Sequence, residues 1–168
     1  MRRSYLDYNA TAPLRAEARA AMIAVMDQVG NPSSVHAEGR AAKAIVEKAR
    51  GQIAMAFGAV GADIVFTSGA TEAAALACAG RGLRGADIEH DAVAAWIQPD
   101  QLVRPDGGVA LTEPEKSVLQ MANSETGIVQ SLPKGLAVTD ASQAFGKLPV
   151  AFNWLGADMA LISAHKIG

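Results

Sequence analysis

A lysine, an aspartate and a glutamine share one kind of placement in this sequence. Lys166 lies in Ser163-Ala164-His165-Lys166, just after the apolar run Met159-Ala160-Leu161-Ile162. Asp140 and Gln143 lie in Asp140-Ala141-Ser142-Gln143, just after Leu136-Ala137-Val138-Thr139. Each apolar run reads as a buried strand, so an amine, a carboxylate and an amide are delivered to strand ends. In α/β proteins ligands bind outside those ends. A partly buried lysine can supply the neutral amine that condenses with an aldehyde. A carboxylate against a pyridinium nitrogen keeps the ring protonated and electron-poor, and Gln143 could donate to a phenolic oxygen on the same ring. Together these groups are the equipment for holding pyridoxal 5'-phosphate as a Schiff base. Taken singly, each has a plainer account: Asp140 as a turn cap, Lys166 as a surface lysine after a strand.

A phosphate would need its own seat. Phe66-Thr67-Ser68-Gly69-Ala70-Thr71-Glu72 reads as strand, turn and helix start. A helix start offers unpaired amides and partial positive charge, and small residues let a phosphate come close. Ser68 and Thr71 could add hydroxyls, as could Ser163, while His165 could contact the phosphate or shuttle protons. The same pattern also describes an ordinary capped helix. His90, in Glu89-His90-Asp91, could lie flat on a ring and act as an acid–base group, or simply sit exposed at a helix start. His36, near Asn31-Pro32-Ser33-Ser34, suits a structural or interface role. The single cysteine, Cys78, lies among small residues and reads as a packed core thiol rather than a nucleophile.

Elements must position these groups. Apolar residues at helical spacing predict a helix over 14–29, with the face Ala18, Met22, Val25, Met26 and Val29, and Pro13 suited to its first turn. A second helix is expected over 37–57, with the stripe Ala42, Ile45, Ala49, Ile53 and Phe57; Gly39 and Gly51 each weaken it by about 1 kcal/mol relative to alanine. Strands are expected at 63–67, 117–122, 136–139 and 159–163, and helices at 72–79 and 91–97. Residues 80–85 read as a loop and 99–108 as a turn-rich connection. Apolar runs alternating with helices predict an α/β fold with a mostly parallel sheet flanked by helices.

Composition narrows the class. The chain has 168 residues, enough for one domain, and 50% are hydrophobic, enough for a core. Net charge is -2, with no clustering of Lys and Arg of the kind that grips nucleic acid. One cysteine excludes an internal disulfide framework and a cysteine-rich metal site, and fits a reducing, cytoplasmic setting. Asp7 interrupts any signal-peptide core, and no stretch approaches the ~18 uninterrupted apolar residues of a membrane span.

The order and wording of the motifs resemble the cysteine desulfurases of the class V aminotransferase group, fold type I pyridoxal-phosphate enzymes. The segments that carry this are Tyr5-Leu6-Asp7-Tyr8-Asn9-Ala10-Thr11-Ala12-Pro13, Gly30-Asn31-Pro32-Ser33-Ser34, Val65-Phe66-Thr67-Ser68-Gly69-Ala70-Thr71-Glu72, Glu89-His90, Asn123-Ser124-Glu125-Thr126-Gly127, and the two motifs that hold Asp140 and Lys166. The resemblance implies that residues 1–168 are the N-terminal portion of the cofactor-binding large domain. It implies that Lys166 forms the Schiff base, Asp140 pairs with the pyridine nitrogen and Gln143 bonds the phenolic oxygen. His90 would stack on the ring, and Ala70, Thr71, Ser163 and His165 would hold the phosphate. L-cysteine is the implied substrate, leaving alanine and an enzyme persulfide whose sulfur feeds iron–sulfur assembly or tRNA thiolation through an acceptor protein. A homodimer is implied for the full-length chain.

The sequence departs from the family pattern in places. Ser124 stands where a second asparagine normally contacts the cofactor, and Ala164 replaces a common glycine. Connections are short: only 14 residues separate Glu125 from Asp140, too few for the crossover helix the family has there. The family's sulfur-accepting cysteine, substrate-carboxylate arginine and small C-terminal domain belong beyond Lys166, so residues 1–168 alone are expected to lack turnover. Other class V chemistry, as selenocysteine lyase or aminotransferase, and a non-catalytic remnant of the family stay open.

Overall fold

Leu136-Ala137-Val138-Thr139-Asp140 forms the middle strand of a parallel sheet. The computed structural model describes residues 3–168, with helices α1 (Ala16–Met26), α2 (Ala37–Ala56), α3 (Ala70–Cys78), α4 (Asp91–Ala94) and α5 (Phe152–Leu155). Its strands are β1 (Arg84–Gly85), β2 (Gln98–Pro99), β3 (Leu102–Val103), β4 (Val109–Ala110), β5 (Val118–Gln120), β6 (Leu136–Asp140) and β7 (Ala157–Leu161). β6 lies between β5 and β7, parallel to both. β1 pairs in parallel with β2 and reaches the main sheet through a parallel bridge from Arg84 to Ser117. β3 and β4 form a small antiparallel ribbon. Parallel sheets need cover on both faces, which explains why β6 is apolar along its length rather than alternating.

Both faces are covered. α3 packs on β7 and α4, and there Ala74, Cys78, Val93, Val118, Val138 and Leu161 share one core. A second core gathers Phe57, Met121, Ala141 and Ala144, with the Phe57 and Phe145 rings edge-to-face at 4.9 Å. The one hydroxyl inside β6 is satisfied, since Thr139 Oγ1 donates to the Leu119 carbonyl at 2.8 Å. No helix among the described residues is long and apolar enough to cross a membrane.

The expected strand at 63–67 does not form. The segment is extended but pairs with nothing, and Val65 is 71% exposed. A groove of about 640 Å³ lies between it and the free edge of β7, with Ile64, Val65, Met159 and Ala160 on its walls. Its β-branched residues favour extension, but a ladder needs a neighbour at hydrogen-bonding distance. Arg50 holds it instead, donating to the Ile64 carbonyl and lying over the Phe66 ring at 5.0 Å. The expected turn-rich connection at 99–108 carries β3 and part of β2, and β1 ends the expected 80–85 loop.

The first helix is shorter than expected: it starts after an Arg15 N-cap, so Pro13 precedes rather than occupies its first turn. None of its residues is buried; Met22 is 46% and Met26 74% exposed, so its apolar face covers nothing among the described residues. The connection between β5 and β6 contains no helix, as the short spacing requires. Gly39 corrects a propensity argument. It is the single buried residue of α2, and a Cβ there would meet the Ser34 and Asn31 carbonyls. Gly51 faces open space. Gly39→Ala is therefore expected to destabilise by about 1–3 kcal/mol, whereas Gly51→Ala stabilises by up to about 1 kcal/mol. Urea titration of the pair checks this, and equal effects would refute the steric account.

Candidate functional site

The carboxyl ends of β6 and β7 open into a cavity of about 240 Å³. Ala70, Thr71, His90, Ser124, Asp140, Gln143, Ser163, His165 and Lys166 all line it, so these nine candidates face one space. Register explains much of this. Gln120, Asp140 and Leu161 are neighbours across the sheet, and the chain turns into Ser142 and Ser163 just beyond them.

α3 begins at the cavity wall. Its N-cap is Gly69, which provides no side-chain cap, and the first helical bond runs from Ala73 N–H to the Gly69 carbonyl. The amides of Ala70 and Thr71 thus stand at an uncapped helix start. Ser68 differs from expectation: it is not among the lining residues, and its amide donates to Glu72 at 2.6 Å.

Asp140 is half-buried at the end of β6, and its partial loss of water pushes its carboxyl above the usual aspartate range. The Ser142 amide, donating to Oδ1 at 2.8 Å, pulls the other way, as do the charges of His90 and Lys166. Ser142 Oγ is buried without a partner. His90 caps α4: its Nδ1 accepts from Ala92 N–H at 3.1 Å, which leaves Nε2 to carry the proton of the neutral ring. It is thus both the exposed helix-start histidine and a cavity residue. His36 has a structural place, capping α2 from the Gly39 amide and meeting Glu38 at 2.9 Å. Cys78 is fully buried, and burial pushes its thiol up.

An N-terminal arm crosses the cavity mouth. Ala12 N–H and Thr11 Oγ1 donate to the His165 carbonyl, and Thr11 Oγ1 also meets His165 Nδ1. The Asn9 carbonyl accepts from Lys166 Nζ at 2.7 Å and from Gln143 Nε2 at 3.1 Å, while Asn9 Nδ2 donates to the Ser124 carbonyl at 2.7 Å. Lys166 Nζ reaches the Ala10 carbonyl as well, at 3.1 Å. Residue types alone did not assign Asn9 a place in the site. Neither Gln120 nor Ser142 was foreseen; both line the cavity, and only strand register could have pointed to Gln120.

Glu89 was likewise quoted only as part of a motif. It is 6% exposed and one residue before His90. Burial, with a contribution from the Asp140 charge, raises its carboxyl to about 7.

A parallel sheet with a lysine, a half-buried carboxylate and an uncapped helix start at its carboxyl edge has the layout of a ligand site of an α/β protein. The sequence matches the family described as Aminotransferase class-V over residues 4–168, and the chain belongs to that family. Its relatives include cysteine desulfurase IscS of Dictyoglomus turgidum (strain DSM 6724 / Z-1310), 34% identical over 206 residues, covering 98% of this chain and 51% of the relative. A cysteine desulfurase of Frankia sp. (strain EuIK1) is 35% identical over 209 residues, covering 97% of this chain and 49% of the relative. Among solved structures, a NifS-like protein from Rickettsia africae ESF-5 superposes with a TM-score of 0.83 at 31% identity, covering 98% of this chain and 54% of that one. SspA in complex with cysteine superposes with a TM-score of 0.83 at 27% identity, covering 96% and 57%. The chain spans about half the length of the curated relatives it matches. The matched stretches exceed 200 residues against 168 here, which accords with the shortened connections.

Glu89, buried, and Asp140, half-buried, give stability a pH dependence. Glu89 binds its proton more tightly folded than unfolded, so its contribution is complete below the ordinary value of 4.5 and is lost as pH rises through about 7. Asp140 acts in the same sense. Stability is expected to fall across that window by on the order of 3 kcal/mol on account of Glu89. Chemical denaturation against pH checks it, and Glu89→Gln should give a shallower fall; an identical slope would refute the assignment.

Proposed function

We propose that this chain is the cofactor-binding part of a pyridoxal 5'-phosphate-dependent cysteine desulfurase. The observation that carries the reading is the meeting, on one cavity, of Lys166, half-buried Asp140 and the uncapped start of α3. The similarity to cysteine desulfurases supports the reaction class, and SspA in complex with cysteine supports L-cysteine as the substrate. The residues fit the cofactor: Ser142 Oγ is a buried hydroxyl left without a protein partner beside Asp140, and the lining offers donors for a phosphate and an acceptor for a ring nitrogen.

When bound, pyridoxal phosphate supplies an electron sink for charge developing on the substrate. The protein's part is placement and proton handling. Ala70 and Thr71 offer backbone amides to the phosphate, with Ser163 and His165 completing its seat. Asp140 would hold the proton of the ring nitrogen. Gln143 would hold the ring oxygen with the amide it gives to the Asn9 carbonyl, and Ser124 would contact the cofactor. Lys166, whose Nζ donates to the Asn9 and Ala10 carbonyls, would be the amine that holds the cofactor. His90, with its proton on Nε2, would lie against the ring and move protons to and from the substrate.

Cys78 does not accept the sulfur, because it is fully buried at the end of α3. That role falls to a cysteine of the whole protein outside residues 3–168. The whole protein acts as a cytoplasmic homodimer and passes sulfur to an acceptor protein for iron–sulfur assembly or thiolation; the exposed apolar face of α1 supports the dimer. The shortened connections favour one other reading, a family remnant that binds cofactor without turnover. Release of alanine from L-cysteine by the full-length chain would exclude it.

Lys166→Ala is expected to abolish a borohydride-reducible absorbance band that the wild-type full-length protein develops with pyridoxal 5'-phosphate. Its survival in the variant would overturn the role of Lys166. Residues 1–168 alone are expected to release no sulfur from L-cysteine, and mass spectrometry should find no persulfide on Cys78; a persulfide there would contradict the assignment.

A further inference from the structure

Glu89 is a buried acid that the reading above does not use. Its Oε1 accepts from Gln120 N–H at 3.0 Å, and its Oε2 is buried with no partner. Around it the chain is stapled to the end of β5. The Ile88 carbonyl accepts from Gln120 Nε2 at 2.7 Å and from Asn123 Nδ2 at 3.1 Å. Gln120 is in turn the register partner of Asp140. One residue on, His90 lines the cavity.

Two carboxylates this close, one buried and one half-buried, cannot both ionise cheaply. Their surroundings separate them. Asp140 has the Ser142 amide, His90 and Lys166 to favour its charge. Glu89 has one backbone amide, and the ionisable groups about it are acids, a thiol and His90. Cys78 acts on it from α3, Asp140 from β6, and Asp87, His90, Asp91 and Glu125 line the same hollow. The charge of Arg81 acts on Cys78.

We propose that Glu89 is a positioning residue of this site: it keeps a proton, fastens the His90 segment to β5, and leaves Asp140 as the single carboxylate charge available to the cofactor ring. The proposal rests on the cofactor reading above. Protonated Glu89 satisfies the Gln120 amide through Oε1 and keeps Oε2 uncharged where no donor exists to meet a charge. His90 and Asp140 are thereby held at a fixed relation across β5, through Gln120, without a second negative charge between them.

Carboxyl-carbon NMR of the cofactor-free, full-length protein tests the proton directly. Glu89 is expected to titrate with a midpoint of about 7, and Asp140→Asn should lower that midpoint by about one pH unit. A midpoint in the ordinary glutamate range, about 4.3, or no response to Asp140→Asn overturns the proposal. Cofactor affinity tests the fastening. At pH 6, roughly a unit below the titration, Glu89→Gln keeps the wild-type dissociation constant for pyridoxal 5'-phosphate within about threefold. Glu89→Ala, which strands the Gln120 amide, raises it about tenfold or more. Equal weakening by both variants overturns the claim that the neutral acid is the working form. Failure of the wild-type protein to take up pyridoxal phosphate overturns the cofactor reading, and with it Glu89's role towards the ring, while the NMR midpoint still decides whether Glu89 holds the proton.

Discussion

The burial of β6 on both faces is the constraint that the rest of the structure obeys. Leu136, Ala137 and Val138 are fully buried, and Thr139 survives among them because its hydroxyl has a carbonyl to donate to. Strand side chains alternate, so a one-residue slip would turn the strand over and carry Asp140 away from the cavity. The hydrophobic cost of that slip is what fixes Asp140 opposite Gln120 on one side and Leu161 on the other. Ser163 and Lys166 inherit their positions from the same ladder, two and five residues past Leu161. A site assembled from distant parts of the chain is thus aligned by core packing rather than by contacts among its own polar groups.

This is also why so much of the site could be read from residues alone. β6, β7 and α3 are short segments whose local pattern and tertiary burial agree, and the chemistry-bearing residues follow each at once. Where local pattern and neighbours disagree, sequence reasoning failed. Residues 63–67 have a strand's composition and an extended backbone, yet no edge lies close enough to pair with them. Gly39 looked like a flaw in a helix, and is a point where two carbonyls leave no room for a Cβ. Asn9 was invisible as a site residue because its partners lie 115 to 157 positions away. Glu89 was hidden for a different reason: its character comes from burial against Gln120 and Asp140, and burial of a charged residue type is not what its sequence neighbours suggest.

The electrostatics of the cavity follow from an imbalance of partners. Loss of water outweighs the other influences on Asp140 and raises its carboxyl, while the Ser142 amide and the Lys166 amine pull the other way. Cys78 does not ionise readily, because burial outweighs the opposing charge of Arg81. The chain therefore keeps its one thiol inert while presenting an amine and a carboxylate at the same strand ends. In chemical terms the described residues are suited to holding an electrophilic ring and poorly suited to attacking with sulfur.

The arm and the cavity are linked through shared donors. Lys166 Nζ and Gln143 Nε2 both donate to the Asn9 carbonyl, and Thr11 and Ala12 are fastened to His165. The helices that follow add little to hold the arm, since α1 buries no residue and α2 buries only Gly39. The order of residues 7–12 thus depends on the very groups a ligand would engage. A ligand that takes the Lys166 amine and the Gln143 amide removes three of the arm's hydrogen bonds and leaves those to Ser124 and His165 in place. The arm is consequently a partner in the binding equilibrium, because each donor it gives up is a cost that the ligand's own contacts must exceed.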